Sequence, residues 1–293
     1  MKFNDQPTSF HSETRYAGGM TDAGDSFWIT PASPTAEATA LVFASPHSGD
    51  RYPEDMDAAP GLSPASLRSA EDALVGQLIA EGPRLGAPLI EGRIGRAYVD
   101  LNRDPGELDP ALIEGLDGPV GAKTAAGYGV LPRMAGDGTP LYARRMTLEE
   151  AETRIATVHR PYHQALDELM HTTRARQGRA VLIDWHSMPS RAVGAEVVLG
   201  DRYGSACSAR LTRRLRDLFE GLGWRVSLNR PYAGGWSTQC WGRPDEGYEA
   251  IQIEISRGLY LDEATLAPSA GYGRTHKALG RVIAALCAER WAD

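Results

Sequence analysis

The stretch Ala180-Val-Leu-Ile-Asp-Trp-His-Ser-Met-Pro189 decides which fold this sequence predicts. Its first four residues form a continuous apolar run, which is typical of a short strand buried on both faces of a sheet. Asp184 and His186 follow the run, and Pro189 then prevents further strand pairing. Ligands collect beyond the carboxyl ends of strands in open α/β sheets, so this Asp and this His lie where chemistry is expected.

Two other stretches resemble this one, on either side of it in the chain. Leu41-Val-Phe-Ala-Ser-Pro-His47 is again an apolar run followed by a proline and a histidine. Ala250-Ile-Gln-Ile-Glu-Ile-Ser-Arg257 alternates strictly, so Glu254 lies on the polar face of a predicted strand. Two strands that each deliver a histidine near their ends indicate a shared site more strongly than one strand does.

The remaining pattern alternates strands with helices. Apolar stripes predict helices near residues 63–79, 147–169, 211–222 and 274–291, and further strands are expected at 93–105, 193–199 and 224–228. A kink is expected at Pro161. We find no internal repeat and no dividing linker, so the sequence predicts a three-layer α/β/α sandwich around a mixed central sheet. Residues 26–293 are expected to form one domain, preceded by a flexible segment over 1–25.

Composition excludes several classes of function. The chain has 293 residues, 42% of them hydrophobic and 24% charged, with a net charge of −7. An acidic chain argues against nucleic-acid binding. No signal peptide and no membrane-spanning run is apparent, which predicts a soluble cytoplasmic protein. Three widely spaced cysteines exclude a disulfide framework and a CxxC metal site.

The two histidines suggest a hydrolytic metal site. Such a zinc site uses three protein ligands and keeps one position for water. His47, His186 and one early carboxylate would supply two nitrogens and an oxygen. Glu71 and Asp72 both fall near the apolar stripe of the first predicted helix, and the sequence alone does not choose between them. Solvated acids at a helix start are the alternative interpretation.

Further residues fit roles around such a site. Glu254 is the natural base for the water, and Asp184 could hold the ring of a ligating histidine. Asn102-Arg103 could grip a substrate carboxylate, with a surface salt bridge from Arg103 to Asp100 or Asp104 as the alternative. The pair His159 and His163 lacks the glutamate of a zincin motif, so we interpret it as mostly structural.

A Gly- and Pro-rich segment over residues 105–141 shows little periodicity and is typical of a lid or binding loop. It carries Arg133, and Arg144 follows it. No GxGxxG, Walker or GxSxG motif is present, so neither nucleotide binding nor a serine nucleophile is supported.

With these residues in place, the chain resembles the N-formylglutamate amidohydrolase (N-formylglutamate deformylase) family. The matching blocks run in family order from about residue 41 to 262, and any single block is weak. They are Ser45-Pro-His-Ser-Gly49 with Tyr52-Pro53, Glu71-Asp72, Tyr98-Val-Asp-Leu-Asn-Arg103, Gly129-Val-Leu-Pro-Arg133, Arg160-Pro-Tyr-His163, Leu182-Ile-Asp-Trp-His-Ser187, Val198-Leu-Gly-Asp201, Tyr232-Ala-Gly-Gly235, Gly242-Arg-Pro244 and Ile251-Gln-Ile-Glu-Ile255.

The resemblance implies a phosphorylase/hydrolase-like fold related to zinc carboxypeptidases, and a place in histidine degradation. It implies one zinc ion, for which we select Asp72 beside His47 and His186 and keep Asp50 and Glu71 in reserve. Cys240 stands where family members commonly carry a histidine, so specificity or activity could differ here.

The sequence thus predicts a zinc-dependent amidohydrolase of N-formyl-L-glutamate or a related N-acyl amino acid. Glu254 is expected to move the proton, and Asn102 and Arg103 to hold the α-carboxylate. Arg133 and Arg144 are candidates for side-chain specificity, as are Arg145 and Arg191. The alternatives are a zinc peptidase or amidase acting on a small peptide or cell-wall amide, and a weakened homologue that only binds.

Overall fold

A seven-stranded mixed sheet forms the centre of the protein in a computed structural model that describes residues 26–291. The strand order is β1-β3-β2-β4-β7-β5-β6. The bounds are β1 Phe27–Thr30, β2 Leu41–Ser45, β3 Leu89–Gly92, β4 Ala180–Met188, β5 Val197–Gly200, β6 Val226–Leu228 and β7 Tyr248–Ser256. Strands β3, β2, β4 and β7 run parallel, while β1 and β5 pair antiparallel with β3 and β7. The segment 1–25 expected to be flexible lies outside the described residues.

Helices cover both faces of the sheet, so the predicted three-layer α/β/α sandwich is confirmed. Their bounds are α1 Pro64–Arg68, α2 Val75–Leu78, α3 Ala122–Ala125, α4 Leu148–Arg154, α5 Arg160–Gln177, α6 Ala209–Glu220, α7 Trp236–Trp241 and α8 Tyr272–Cys287. One core joins α5 to one face of the sheet, and a second core joins α2, α6 and α8 to the other. A short ribbon, β8 Leu261–Asp262 with β9 Ala267–Pro268, stands apart from the sheet. Over residues 26–291, no helix has the length and hydropathy to cross a membrane.

The two central strands are buried along their whole length. All nine residues of β4 and all nine of β7 are buried, including the polar face of β7. The alternative in which Glu254 is a solvated residue on a half-exposed strand is therefore wrong, because Glu254 is only 6% exposed. A buried carboxylate must be compensated by its neighbours, which makes its surroundings informative about function.

Two predicted elements are wrong. Residues 93–105 form no strand, because the chain turns after β3 and Asp100 N–H donates to Val130 O instead of to a sheet neighbour. The helix expected over 63–79 is broken into α1 and α2, with Leu74 between them in the left-handed region at φ 67°. Both irregular stretches lie at the carboxyl edge of the parallel strands and carry candidate site residues.

The long helix predicted from Thr147 is present but irregular. A capping box at Thr147 and Glu150 begins α4, as expected. A π turn over Ile155–His159 then separates α4 from α5, and it ends two residues before Pro161. Arg160 N–H donates to Ile155 O, five residues back, so the turn holds one extra residue.

His163 on α5 makes the stability of the protein depend on pH. Burial and the neighbouring His159 lower the pKa of His163 to about 3. Between pH 6.5 and 3 the unfolded chain therefore binds a proton here that the folded protein does not. We expect the free energy of unfolding to fall by up to about 1.4 kcal/mol per pH unit as pH drops below 6.5. Urea unfolding of wild type and His163→Gln at pH 7 and 5 measures this. Equal pH slopes would contradict the assignment.

Candidate metal centre and active site

Three side chains converge at the carboxyl edge of the parallel strands. His47 follows β2, His186 lies in β4, and Asp72 comes from the turn between α1 and α2. The Nδ1 atoms of His47 and His186 are 3.1 Å apart, and Asp72 Oδ2 lies 3.0 Å from His186 Nδ1 and 3.4 Å from His47 Nδ1. All three residues are buried. This group could bind a metal ion.

The donor set fits a tetrahedral ion such as zinc. Bond lengths of about 2.0–2.1 Å place neighbouring ligand atoms roughly 3.3 Å apart, and the three separations are 3.0, 3.1 and 3.4 Å. Two imidazole nitrogens and one carboxylate oxygen leave one position for water or substrate. The same donors also suit iron, cobalt or manganese.

The far nitrogens of both rings also have partners, which fixes the ring orientations. His47 Nε2 lies 2.7 Å from Asp100 Oδ1, and Arg96 Nε donates to the other Asp100 oxygen at 2.9 Å. His186 Nε2 lies 3.1 Å from Asp184 Oδ2 and 3.1 Å from Asn102 Nδ2. Asp184 lies beside the ring that it was predicted to hold, but neither of its oxygens meets the geometry of a hydrogen bond within the described residues, so this role stays a prediction. The contact from Asp100 to His47 was missed.

Neighbouring charges and hydrogen bonds shift the pKa values of three buried groups in the site towards their charged forms. Burial alone raises the pKa of Asp72, but its hydrogen bonds to His186 and His47 hold it well below the ordinary value. The pKa of Asp100 is likewise low, because the charges of Arg96 and His47 outweigh burial. Burial lowers the pKa of His186, yet Asp184 and Asp72 raise it well above its usual range.

The buried carboxylates around the cluster outnumber the positive side chains that contact them. The carboxylates around the cluster are those of Asp72, Asp100, Asp184 and Glu254, each at most 6% exposed. Three guanidinium groups contact them: Arg96 lies on Asp100, Arg257 lies 3.4 Å from Asp72, and Arg103 lies 3.8 Å from Asp100. Arg103 is also paired with Glu107, so these two charges are counted against each other. When both imidazoles are neutral, as metal ligation requires, and Glu254 is ionised, four negative and two positive charges leave an excess of two, which a divalent ion would balance.

Arg257 holds the Asp72 turn in place. It directly follows β7 and donates to Ser187 Oγ at 3.1 Å, to Glu71 O at 2.7 Å and to Ser69 O at 3.1 Å. Ser187 in turn donates to Asp72 Oδ1 at 2.9 Å. Sequence reasoning missed Arg257, although an arginine at the end of a polar strand face was a usable signal.

Glu254 lies beside the cluster. Its Cα is the register partner of His186 across the parallel β4–β7 pair, and its Oε1 accepts from Gln252 Nε2 at 2.7 Å. Burial raises the pKa of Glu254 to about 7, partly offset by the charge of His186. A carboxyl group with a pKa near 7 is suited to exchange protons at neutral pH.

The predicted substrate-binding residues are not all in one place. Both polar atoms of the Asn102 amide already form hydrogen bonds within the protein. Nδ2 donates to Gln252 Oε1 at 3.2 Å, and Oδ1 accepts from Ser237 N at 3.0 Å. Arg103 is 12% exposed beside Asp100. Arg133 is bound to Asp109 at 2.9 Å, and the half-exposed Arg144 is bound to Asp57 and Glu150.

The reserve carboxylates lie elsewhere. Asp50 is mostly exposed near Arg68, and the Glu71 carboxylate accepts from Tyr52 and Arg68. Only Asp72 of the three belongs to the cluster. Cys240 lies on α7, where burial raises the pKa of its thiol to about 11. The thiol therefore stays protonated at neutral pH, and Cys240 is not among the three residues of the cluster.

Fold and site together define a class: three-layer α/β/α proteins with a buried two-histidine, one-carboxylate centre at the carboxyl edge of a mixed sheet. Residues 39–261 match the model of the N-formylglutamate amidohydrolase family. The chain belongs to this family, and the resemblance inferred from its sequence blocks is confirmed.

Named relatives and solved structures agree with this placement. The chain is 30% identical over 233 residues to the N-formylglutamate deformylase of Pseudomonas aeruginosa, covering 76% of this chain and 82% of that one. The deformylase of Pseudomonas putida is 28% identical over the same shares. The crystal structure of N-formylglutamate amidohydrolase from Ralstonia eutropha matches with a TM-score of 0.84 at 34% identity, covering 89% of this chain and 97% of that one.

Proposed function

We propose that this protein hydrolyses N-formyl-L-glutamate to formate and L-glutamate, with one divalent ion, best zinc, held by His47, Asp72 and His186. The observation that carries the proposal is the convergence of these three ligand atoms beside Glu254, in a chain of this family. A metal ion bound here supplies a water of lowered pKa and a positive charge for the formyl oxygen.

Glu254 has the chemistry for both proton transfers. A water oxygen forms a bond to the formyl carbon, and Glu254 accepts a proton from that water. The C–N bond then breaks as the same carboxylic acid gives that proton to the departing nitrogen, which yields formic acid and the free amine. The formic acid proton then passes to the amine, so the products are formate and the amino acid with a protonated amino group. A group that is base first and acid second works best with a pKa near the working pH, and burial raises the pKa of Glu254 to about 7.

A positive side chain beside the cluster suits an anionic substrate. Arg103 contacts Asp100, which also holds His47. We assign the α-carboxylate of the substrate to Arg103.

Arg103→Met is expected to raise KM for N-formylglutamate by 10- to 100-fold, which corresponds to a lost charged hydrogen bond of about 1.5–3 kcal/mol. Steady-state formate release measures the change. Arg133→Met and Arg144→Met are the matched controls for the two other predicted binding arginines. Arg103 reaches the cluster through Asp100, whereas the guanidinium groups of these two arginines are paired with Asp109, Asp57 and Glu150, which are not among the contacts of the cluster. We therefore expect KM to stay within about twofold of wild type. A tenfold rise in either control would restore that arginine as a binding residue.

A comparison of formyl, acetyl and peptidyl glutamate tests the acyl group and the rival peptidase or amidase function. Formate release from the formyl substrate should dominate. No turnover of any of them would favour a protein that binds without catalysis. A role in histidine degradation and a cytoplasmic location stay predictions.

A further inference from the structure

The segment 100–103 has no strand to pair with, so its backbone carbonyls need other donors. Asp100 O accepts from Arg103 N at 3.3 Å, and Asn102 O accepts from Trp236 N at 3.2 Å. The carbonyls of Leu101 and Arg103 have no backbone donor among these contacts. Both accept from histidine side chains instead.

The two donors lie about one turn apart, where the π turn continues into α5. His163 Nε2 lies 2.8 Å from Leu101 O, and His159 Nε2 lies 2.9 Å from Arg103 O. Their ring centroids are 4.3 Å apart. His159 is the last residue of the π turn, and single π turns often occur at functional sites. Burial lowers the pKa of both rings, so each is neutral at pH 7 and donates its Nε2–H.

Asp100, Asn102 and Arg103 each make a side-chain contact in the site. Each of these contacts depends on the position of the backbone of segment 100–103. Asp100 holds His47 at 2.7 Å, and Asn102 contacts His186 at 3.1 Å. Arg103 reaches Asp100 and Glu107. A shift of this backbone would therefore reorient two candidate metal ligands and the arginine assigned to the substrate.

We propose that His159 and His163 are positioning residues of the active site, which fix segment 100–103 through two imidazole–carbonyl hydrogen bonds. His163 acts on the part that orients His47 and His186. His159 acts on the part that orients Arg103. The effect on substrate binding rests on the proposed function, whereas the effect on metal affinity does not.

His163→Ala and His159→Ala separate these two roles. For His163→Ala we expect the dissociation constant for zinc, measured by competition with a chromophoric chelator, to rise about tenfold, and kcat to fall. For His159→Ala we expect KM for N-formylglutamate to rise about tenfold, with the zinc constant within about twofold of wild type.

His171→Ala is the matched control. His171 lies on the same helix, packs against Trp241 and Tyr248, and contacts no residue of segment 100–103 among the hydrogen bonds within residues 26–291. It should leave the zinc constant, kcat and KM unchanged. His163→Gln and His159→Gln, which keep an N–H donor, should recover part of each loss.

Lower melting temperatures with unchanged zinc constant, kcat and KM would reduce the pair to a structural role and overturn the proposal. If the alanine variants do not fold, the same constants measured on His163→Leu and His159→Leu, which fill the space without an N–H donor, decide, and wild-type values there overturn the proposal too. Absence of formate release by wild type would defeat the proposed function, while the zinc constants would still test the pair.

Discussion

Replacing Glu254 by glutamine should lower kcat for formate release by about a thousandfold while leaving KM and metal content near wild type. The substitution keeps the size of the side chain but removes its ability to accept a proton. Glu254 makes no hydrogen bond to His47, Asp72 or His186 among the described contacts, so the metal ligands should stay in place. Single-turnover formate release and metal analysis of the purified variant measure the two effects separately.

Glu249→Gln is the matched control for this substitution. Glu249 is buried on the same strand as Glu254, but its carboxylate accepts from Arg179 and Ser208 near the beginning of β7. Removing that charge should lower stability and leave kcat within a few-fold of wild type. Glu254→Gln protein that retained more than a tenth of wild-type activity would remove Glu254 from the reaction.

The strands that carry this chemistry could be predicted because burial on both faces leaves a distinctive sequence. Parallel strands in the middle of a sheet read as continuous apolar runs, and β2 and β4 do so. The carboxyl ends of such strands meet at one edge, so a histidine after each run predicts that His47 and His186 are close. The fold alone implies their proximity.

The choice of Asp72 over Glu71 could not be predicted from local sequence. The two carboxylates are adjacent and fall in the same broken helix. Their directions are set by contacts from distant parts of the chain, since Arg257 holds the turn and Tyr52 binds the Glu71 carboxylate. A helical pattern contains no information about such contacts.

The contacts of the arginines in and beside the long loop could not be predicted from the sequence either. Arg133 and Arg144 lie in or beside a segment without periodicity, so nothing in the sequence indicates which acids they meet. The structure pairs them with Asp109 and with Asp57 and Glu150. The role of Asn102 also depends on context, because its amide bridges Gln252 and the start of α7.

Removing the metal should abolish formate release and destabilise the protein. At free zinc a thousandfold above the dissociation constant, binding adds about 4 kcal/mol to the free energy of unfolding. For a chain of this size that corresponds to a fall in Tm of about 10 °C after exhaustive chelation. The physical reason is the excess of negative charge among the buried carboxylates when both imidazoles are neutral ligands and the charges of Arg96 and Arg257 are counted.

His186→Ala should behave like the chelated wild type. It removes one imidazole ligand, so added zinc should no longer raise Tm by the wild-type amount, and formate release should be lost. His276→Ala, a histidine on α8, should keep both responses. Metal-free wild type that still released formate would contradict the metal role. A Tm shift that survives in His186→Ala would show that zinc stabilises the protein from another site, because the three-ligand cluster cannot hold the ion with the same affinity once an imidazole is missing.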